Sequence, residues 1–216
     1  RIPPQIGQYK VYIIDEVHML SAAAFNAFLK TLEEPPSYAV FILATTERHK
    51  ILPTILSRCQ IFNFNRISVE RIVEHLKNIV EKEGAKAEEE ALHVIAQKAD
   101  GALRDALSIF DQMLSIGEVN AISYEDVLQH LNVLDHDVYF KLTDAFQQQD
   151  IPEVLLTFDK VLDKGFDGQI FINGLANHFR DIMVSRDPRT AELLEVSNSL
   201  RSKYMESANA VDQGYM

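Results

Sequence analysis

At 216 residues the chain has room for one large domain or about two to three small ones, and 47% hydrophobic with 25% charged residues is the balance of a soluble globular protein. No apolar run approaches the length of a bilayer-spanning helix, and a single cysteine, Cys59, excludes an internal disulfide and any multi-cysteine zinc site. A formal net charge of −11 argues against a surface that is nucleic-acid footprint throughout. The charge is unevenly spread. No acid occurs from Arg48 to Arg66, where Arg48, Lys50, Arg58 and Arg66 are basic, while acids gather in Glu81–Glu90. Such asymmetry points to a local meeting with an anion or a partner. The chain opens on Arg-Ile-Pro-Pro, without Met or a leader, and reads as a piece of a longer protein in a reducing compartment.

Val11, Tyr12, Ile13 and Ile14 form a continuous β-branched and aromatic run, as expected of a strand buried on both faces of a helix-covered parallel sheet. Asp15 and Glu16 follow at its C-terminal end, the edge at which open α/β sheets bind ligands. Two carboxylates there are costly unless a cation sits opposite, and Mg²⁺ on a nucleotide is the usual reason. On that reading Asp15 holds the metal and Glu16 orients the attacking water. The alternative is a plain strand end whose acids lead into the next helix.

Ser21 stands at an N-cap position, Ala22–Leu32 is rich in helix formers, and Phe25, Phe28, Leu29 and Leu32 give a core-facing stripe. Glu33-Glu34-Pro35-Pro36 stops that helix. Val40–Ala44 reads as a second buried strand ending in Thr45-Thr46, so one βαβ unit brings two polar tips to the same sheet edge. Lys50–Leu56 reads as a short helix interrupted by Pro53, and Ile61–Phe64 as a third strand. From Ser68, a helix cap, the pattern turns helical throughout. Ile72, Val73, Leu76, Ile79 and Val80 share a face, and Gly84 closes the first helix. Further helices are expected at Glu88–Ala99, Leu103–Ser115, Tyr124–Leu131, Val138–Gln148, Pro152–Lys164 and Gln169–Ser185, with a weaker one after Pro188. Breaks fall at Asp100-Gly101, Ile116-Gly117, Ser123, Asp135, Asp150 and Gly165.

Taken in order, IIDEVHML, LKTLEEPP, LATTE, LPTILSRCQIF and GALRDALS resemble one family, the γ/τ subunit of the bacterial DNA polymerase III clamp loader, an AAA+ ATPase. The resemblance is strong from about Gln8 to Ser115 and lies only in helical character beyond. It implies that Asp15 and Glu16 are the Walker B acids and that Thr46 is sensor 1, with Thr45 as the alternative. Arg58 of Ser-Arg-Cys is then an arginine offered in trans to a neighbouring subunit's nucleotide. Arg104 is sensor 2, reaching from a helical lid to the same subunit's nucleotide, against the alternative of a plain salt bridge with Asp105. His18 is expected to be structural, packing and hydrogen-bonding at a helix start, and Cys59 a buried small hydrophobe.

The fold class expected is α/β, a partial parallel-sheet AAA+ layer, followed by an all-α lid and the start of an all-α collar. Domains are expected at 1–66, 67–132 and 133–216. The family's cofactors are ATP and Mg²⁺. Its partners are the δ and δ′ subunits, further γ/τ copies, the sliding clamp and primed DNA, and its compartment is the cytoplasm. No G-x-x-x-x-G-K-[ST] occurs, so the phosphate cradle is absent and no ATP chemistry is expected of this stretch alone. Two competing readings remain, a non-catalytic δ′-type subunit and, from the literal Asp-Glu-Val-His, a DExH helicase. Only three strand-like runs are present, so the sheet layer should be incomplete and leave apolar surface exposed.

Overall fold

The computed structural model describes residues 3–116 and 121–211. Gly117 of the expected break, and Arg1-Ile2 of the opening run, lie outside the described residues. The chain divides into two units, Arg1–Phe64 and Asn65–Met216.

In the first unit, β1 (Lys10–Ile14) pairs in parallel with β2 (Ala39–Leu43), Lys10 facing Ala39 and Ile14 facing Leu43. The crossover between them is helix α1 (Ala22–Glu33), started by Ser21, whose hydroxyl accepts the Ala24 N–H at 3.2 Å. One face of the strand pair is covered: Tyr12 stacks on Phe41, and Phe28 of α1 meets Phe41 edge-on, each at 5.2 Å between ring centres. The other face is open, with Val11 53%, Ile13 71% and Ile42 48% exposed. This corrects the expectation of a strand buried on both sides, and it accords with an incomplete layer. An all-apolar run needs covering twice, and here it is covered once.

Ile61–Phe64 is not a strand, and Phe64 is 94% exposed. A strand exists only beside a neighbour that takes its N–H and C=O groups, and among the described residues none lies alongside. Pro53 does not interrupt a helix but opens one, α2 (Pro53–Leu56), at the position where its missing N–H is not needed. A 3-10 turn at Arg48–Lys50 precedes it. Val17, Phe25, Ile51 and Ile55 form the buried centre of this unit, with Cys59 half-buried against them and its thiol pushed up by that burial.

The second unit is helical apart from β3 (Lys86–Ala87) and β4 (Ala121–Ile122), a two-residue parallel pair absent from the sequence reading. Helix α3 (Val69–Glu83) starts at Ser68, whose carbonyl accepts from Ile72 N–H but whose hydroxyl makes no capping bond. It ends at Gly84, with φ of 64° in the left-handed region that glycine tolerates. Helices α4 (Glu89–Lys98), α5 (Leu103–Ile116) and α6 (Tyr124–Leu131) pack with α3 around Ile72, Leu76, Ile95, Phe110 and Val127. Asp100 and Gly101 make the left-handed turn between α4 and α5.

Beyond it follow α7 (His136–Gln147), α8 (Ile151–Asp163), α9 (Gly168–Val184), α10 (Pro188–Ala191) and α11 (Asn198–Ala210). The segment after Pro188 is thus two helices, because 192–197 leaves the helical path and Ser197 caps afresh, accepting from Leu200 N–H. A buried polar string ties three of these helices together. Thr143 Oγ1 donates to the Tyr139 carbonyl at 3.1 Å, so His178 Nε2, 3.0 Å away, donates to Thr143. His178 Nδ1 then accepts from the Tyr204 hydroxyl at 3.0 Å, leaving Tyr204 oxygen to accept from His136 Nδ1 at 3.1 Å. The four hydrogen bonds run in one direction along the string with both imidazoles neutral.

Burial, then the nearby His136, lowers His178 from its ordinary 6.5 to about 4, and burial lowers His136 in the same direction. Between those two pH values the unfolded chain binds a proton at His178 that the folded chain does not. Stability therefore falls as pH drops through that window, by at most about 3 kcal/mol. Chemical denaturation from pH 7 to 4 should show a smaller loss for His178→Gln, which keeps neutral hydrogen bonding and cannot charge. An equal loss in both proteins would remove His178 as the cause.

Candidate functional site

The parallel register fixes the first unit's polar edge. Ala44 N–H donates to the Ile14 carbonyl and Val17 N–H to the Ala44 carbonyl, each at 2.9 Å, so the turn after β1 is fastened to the turn after β2. Glu16 sits in that turn with φ 43° and ψ 48°, a left-handed conformation uncommon for a residue with a Cβ. The reversal sends Glu16 away from the line of the strand, while the Asp15 carboxylate accepts the Glu16 N–H at 3.0 Å. The two adjacent acids are thereby given different surroundings, and both are solvent-exposed. Backbone outliers of this kind collect at functional sites.

Thr46 Oγ1 lies 3.4 Å from Glu16 Oε2, a long, weak contact. Thr45 points elsewhere, with its hydroxyl 2.8 Å from His18 Nδ1 and accepting the Glu47 N–H at 3.0 Å. Of the two threonines, Thr46 is therefore the one that meets Glu16. His18 packs and hydrogen-bonds at that turn: its ring, 8% exposed, has Nδ1 at 3.2 Å from Glu16 Oε2 and Nε2 at 3.1 Å from Glu47 Oε2. Glu47 is in turn bonded to Lys50 at 2.7 Å, and that ammonium holds its carboxyl below the usual carboxylate range. Sequence reasoning missed this contact. The only available signal was that His18 and Thr45 follow the two strand ends whose tips must adjoin.

Arg58 stands apart from the acids, just after α2. Its guanidinium donates to the Thr54 carbonyl at 2.8 Å and pairs with Glu33 at 3.0 Å, and it contacts none of Asp15, Glu16 and Thr46. Arg104, in the second unit, lies exposed in the first turn of α5, and among the described residues its guanidinium has no ion pair with Asp105 or any other acid. The basic stretch is less open than its sequence implies. Lys50, Arg58 and Arg66 pair with Glu47, Glu33 and Asp100, acids from outside or from the rim of the stretch.

No group of three or more His, Cys, Asp or Glu side chains among the described residues could hold a metal unaided. Asp15 is suited to a metal held mainly by other oxygens. One of its carboxylate oxygens is taken by the Glu16 N–H and the other faces solvent, which fits Mg²⁺ bound through one carboxylate, waters and phosphate.

Family models match the chain in two places: residues 1–68 match "DNA polymerase III, delta subunit", and residues 71–119 match "DNA polymerase III clamp loader subunit, ATPase lid domain". With a strand–helix–strand unit whose first strand ends in paired acids, they define the class as a clamp-loader subunit of the AAA+ type. Curated relatives sharpen this. The DNA polymerase III subunit tau of Bacillus subtilis is 44% identical over 185 residues, covering 85% of this chain and 32% of the relative. That of Escherichia coli is 39% identical over 186 residues, covering 86% and 29%, and that of Salmonella typhimurium 37% over 212, covering 98% and 33%. The chain belongs to the γ/τ subunit family of DNA polymerase III, and spans about a third of the length of these relatives.

Solved structures resemble it more distantly. The Thermotoga maritima RuvB Holliday junction branch migration motor gives a TM-score of 0.48 at 21% identity, covering 65% of this chain and 52% of that one. The Bacillus subtilis DNA clamp loader delta protein gives 0.42 at 16%, covering 99% and 69%. Among the described residues no helix is long and apolar enough to cross a membrane.

Because the acids lack a Gly-rich phosphate cradle, these 216 residues titrated with Mg·ATP in a calorimeter should give no binding heat. Micromolar affinity would require a phosphate site built from other residues and would contradict the assignment of Asp15.

Proposed function

We propose that this chain is the part of a γ/τ clamp-loader subunit that carries the water-activating half of an ATPase site, the helical lid and part of the collar. In the whole protein, ATP binding and hydrolysis then drive loading of the sliding clamp onto primed DNA, in a complex with δ, δ′ and further γ/τ copies. The observation that carries the reading is the meeting of Glu16 and Thr46 at one sheet edge, with Asp15 turned to a separate environment beside them. The proposed division is 1–66 for the AAA+ sheet layer, 67–132 for the lid and 133–216 for the collar. It is supported by separate buried clusters running from Val69 to Leu128 and from Leu134 to Ala208.

Each residue has a distinct task on this reading. Asp15 would hold Mg²⁺, and the ion, when bound with nucleotide, would neutralise phosphate charge. Glu16, displaced from the metal side by its left-handed backbone, orients the attacking water and draws its proton. Thr46 holds the Glu16 carboxylate by its outer oxygen. Arg58, turned away from its own subunit's acids, serves the neighbour's nucleotide by exchanging Glu33 for phosphate. Arg104, free of Asp105, is available to nucleotide from the lid. The open face of β1 and β2, with Val11, Ile13 and Ile42, supports a layer that is covered on that side by residues outside this stretch.

The δ′-type alternative has the same fold and no turnover, and one pair of variants separates it. In the full-length protein, Glu16→Gln should keep nucleotide affinity and lose turnover, while Asp15→Asn should weaken Mg²⁺-dependent binding. Undiminished hydrolysis by Glu16→Gln would leave only the interaction role. A further variant, Arg58→Ala, should leave ATP affinity intact and lower hydrolysis by the assembled loader by up to about 10³–10⁵-fold, the range for arginine fingers. Full activity of that assembly would end the trans assignment.

A further inference from the structure

His18 is the most enclosed polar group at the sheet edge, and the sequence pattern had assigned it no task. Its ring is 8% exposed, and the backbone around it is fixed because Val17 N–H is bonded to the Ala44 carbonyl at 2.9 Å. Each ring nitrogen faces a carboxylate oxygen: Nδ1 is 3.2 Å from Glu16 Oε2, and Nε2 is 3.1 Å from Glu47 Oε2. Turned over, the ring would present a carbon atom to the Thr45 hydroxyl, so the hydrogen bond to Thr45 selects one orientation. Thr45 Oγ1, 2.8 Å from Nδ1, holds the same edge of the ring from the end of β2. Glu47 is itself paired with Lys50 at 2.7 Å at the far end of the string.

The same oxygen of Glu16, Oε2, is shared by His18 at 3.2 Å and Thr46 at 3.4 Å. Both contacts meet the same oxygen of a side chain that is 47% exposed, and they leave Oε1 without a partner among the described residues. A carboxylate that must orient a water needs one oxygen held and the other free. A misplacement of about 1 Å at such a group can cost roughly a hundred-fold in rate.

We propose that His18 is a positioning residue for Glu16, fixing the carboxylate through Oε2 so that Oε1 is presented to the attacking water. This rests on the reading of Glu16 as the water-activating acid. His18 touches no nucleotide in this scheme; it acts through Glu16 and takes its own position from Thr45 and Glu47. The 3-10 turn at Arg48–Lys50 and helix α2 join Glu47 to Arg58, so the ring also links the Glu16 side of the unit to the segment that carries the arginine.

Steady-state Mg·ATP hydrolysis by the full-length protein in its assembled loader tests the proposal with four variants. Asparagine places its amide nitrogen near the site of Nδ1 and glutamine near that of Nε2, so each keeps one edge of the ring. His18→Ala and His18→Gln should lower kcat roughly ten- to a hundred-fold, the range for supporting residues around reactive groups, with KM for ATP unchanged. His18→Asn should restore most of the turnover, because it retains the contacts to Glu16 and Thr45. Equal defects in the Asn and Gln variants, or losses that follow the fall in unfolding temperature, would reduce His18 to a packing role and overturn the proposal. So would full turnover by His18→Ala. Glu16→Gln is the fourth variant: if it retains turnover, the assignment of Glu16 fails first and takes His18 with it. If it abolishes turnover while His18→Ala does not, only the positioning role is lost.

Discussion

The parallel pairing of β1 with β2, closed by the Val17 N–H to Ala44 carbonyl bond, is the constraint on which the candidate site depends. Parallel strands put their C-terminal ends on the same edge, and a crossover helix is the way to return the chain for that pairing. Asp15 and Glu16 are 30 residues from Thr45 and Thr46 in sequence, yet a register locked by five residue pairs places the two tips side by side. The extra bond beyond the last strand pair keeps the turn from fraying. Without it, the left-handed Glu16 would have no structural reason to stay in that conformation, and the contacts of Glu16 with Thr46 and His18 would not be maintained.

The two units solve the problem of burying apolar surface differently. In the second, α3, α4, α5 and α6 enclose their stripes fully, so that Ile72, Leu76, Ile95 and Phe110 reach zero exposure. Farther along, α7, α9 and α11 meet around an aromatic group that includes Phe140, His178 and Tyr204, with the polar string running through it. A buried string of this sort is costly unless donors meet acceptors along it, and the four hydrogen bonds here run in one direction. The first unit encloses only one face of its strand pair. The side chains at Val11, Ile13, Val40 and Ile42 are those of a sheet interior and sit at a surface.

What was legible in the sequence follows from the range of the interaction. Local signals read well: Ser21 and Asp150 as caps, Gly84 and Gly165 as helix ends, and the α3 stripe all depend on neighbours within a turn or two. Pro53 was misread because proline is both a breaker and a starter, and only the observed first position of α2 tells them apart. Ile61–Phe64 has strand composition but no strand, since pairing is decided by what lies alongside. The β3–β4 pair is two residues on each side, too short to leave a periodicity. At the sheet edge, the adjacency of the strand-tip acids and Thr46 was readable because strand ends place them side by side. The contact of His18 with Glu16 and Glu47 was not, because it depends on a turn geometry that the residue types do not specify.

Electrostatic context decides how the basic stretch is to be understood. Arg48, Lys50, Arg58 and Arg66 are uninterrupted by acid in sequence, which suggests an open cationic surface. In the fold, three of the four find carboxylates, so the stretch carries little free positive charge toward an anion. Exposed pairs of this kind contribute only about 0–1 kcal/mol, because water screens them and ordering the side chains costs entropy. Glu33 therefore holds Arg58 loosely while fixing where its fork begins. An arginine that is paired at rest and cheaply released suits a group meant to meet phosphate only when a second subunit closes against it. In such a drier setting a charge-assisted, two-pronged contact would exceed what Glu33 offers in water. The same comparison sets Arg58 apart from Lys50, whose ammonium is committed to Glu47 and through it to His18. One cation of the stretch pairs at the unit's own sheet edge, and another pairs with Glu33 away from it.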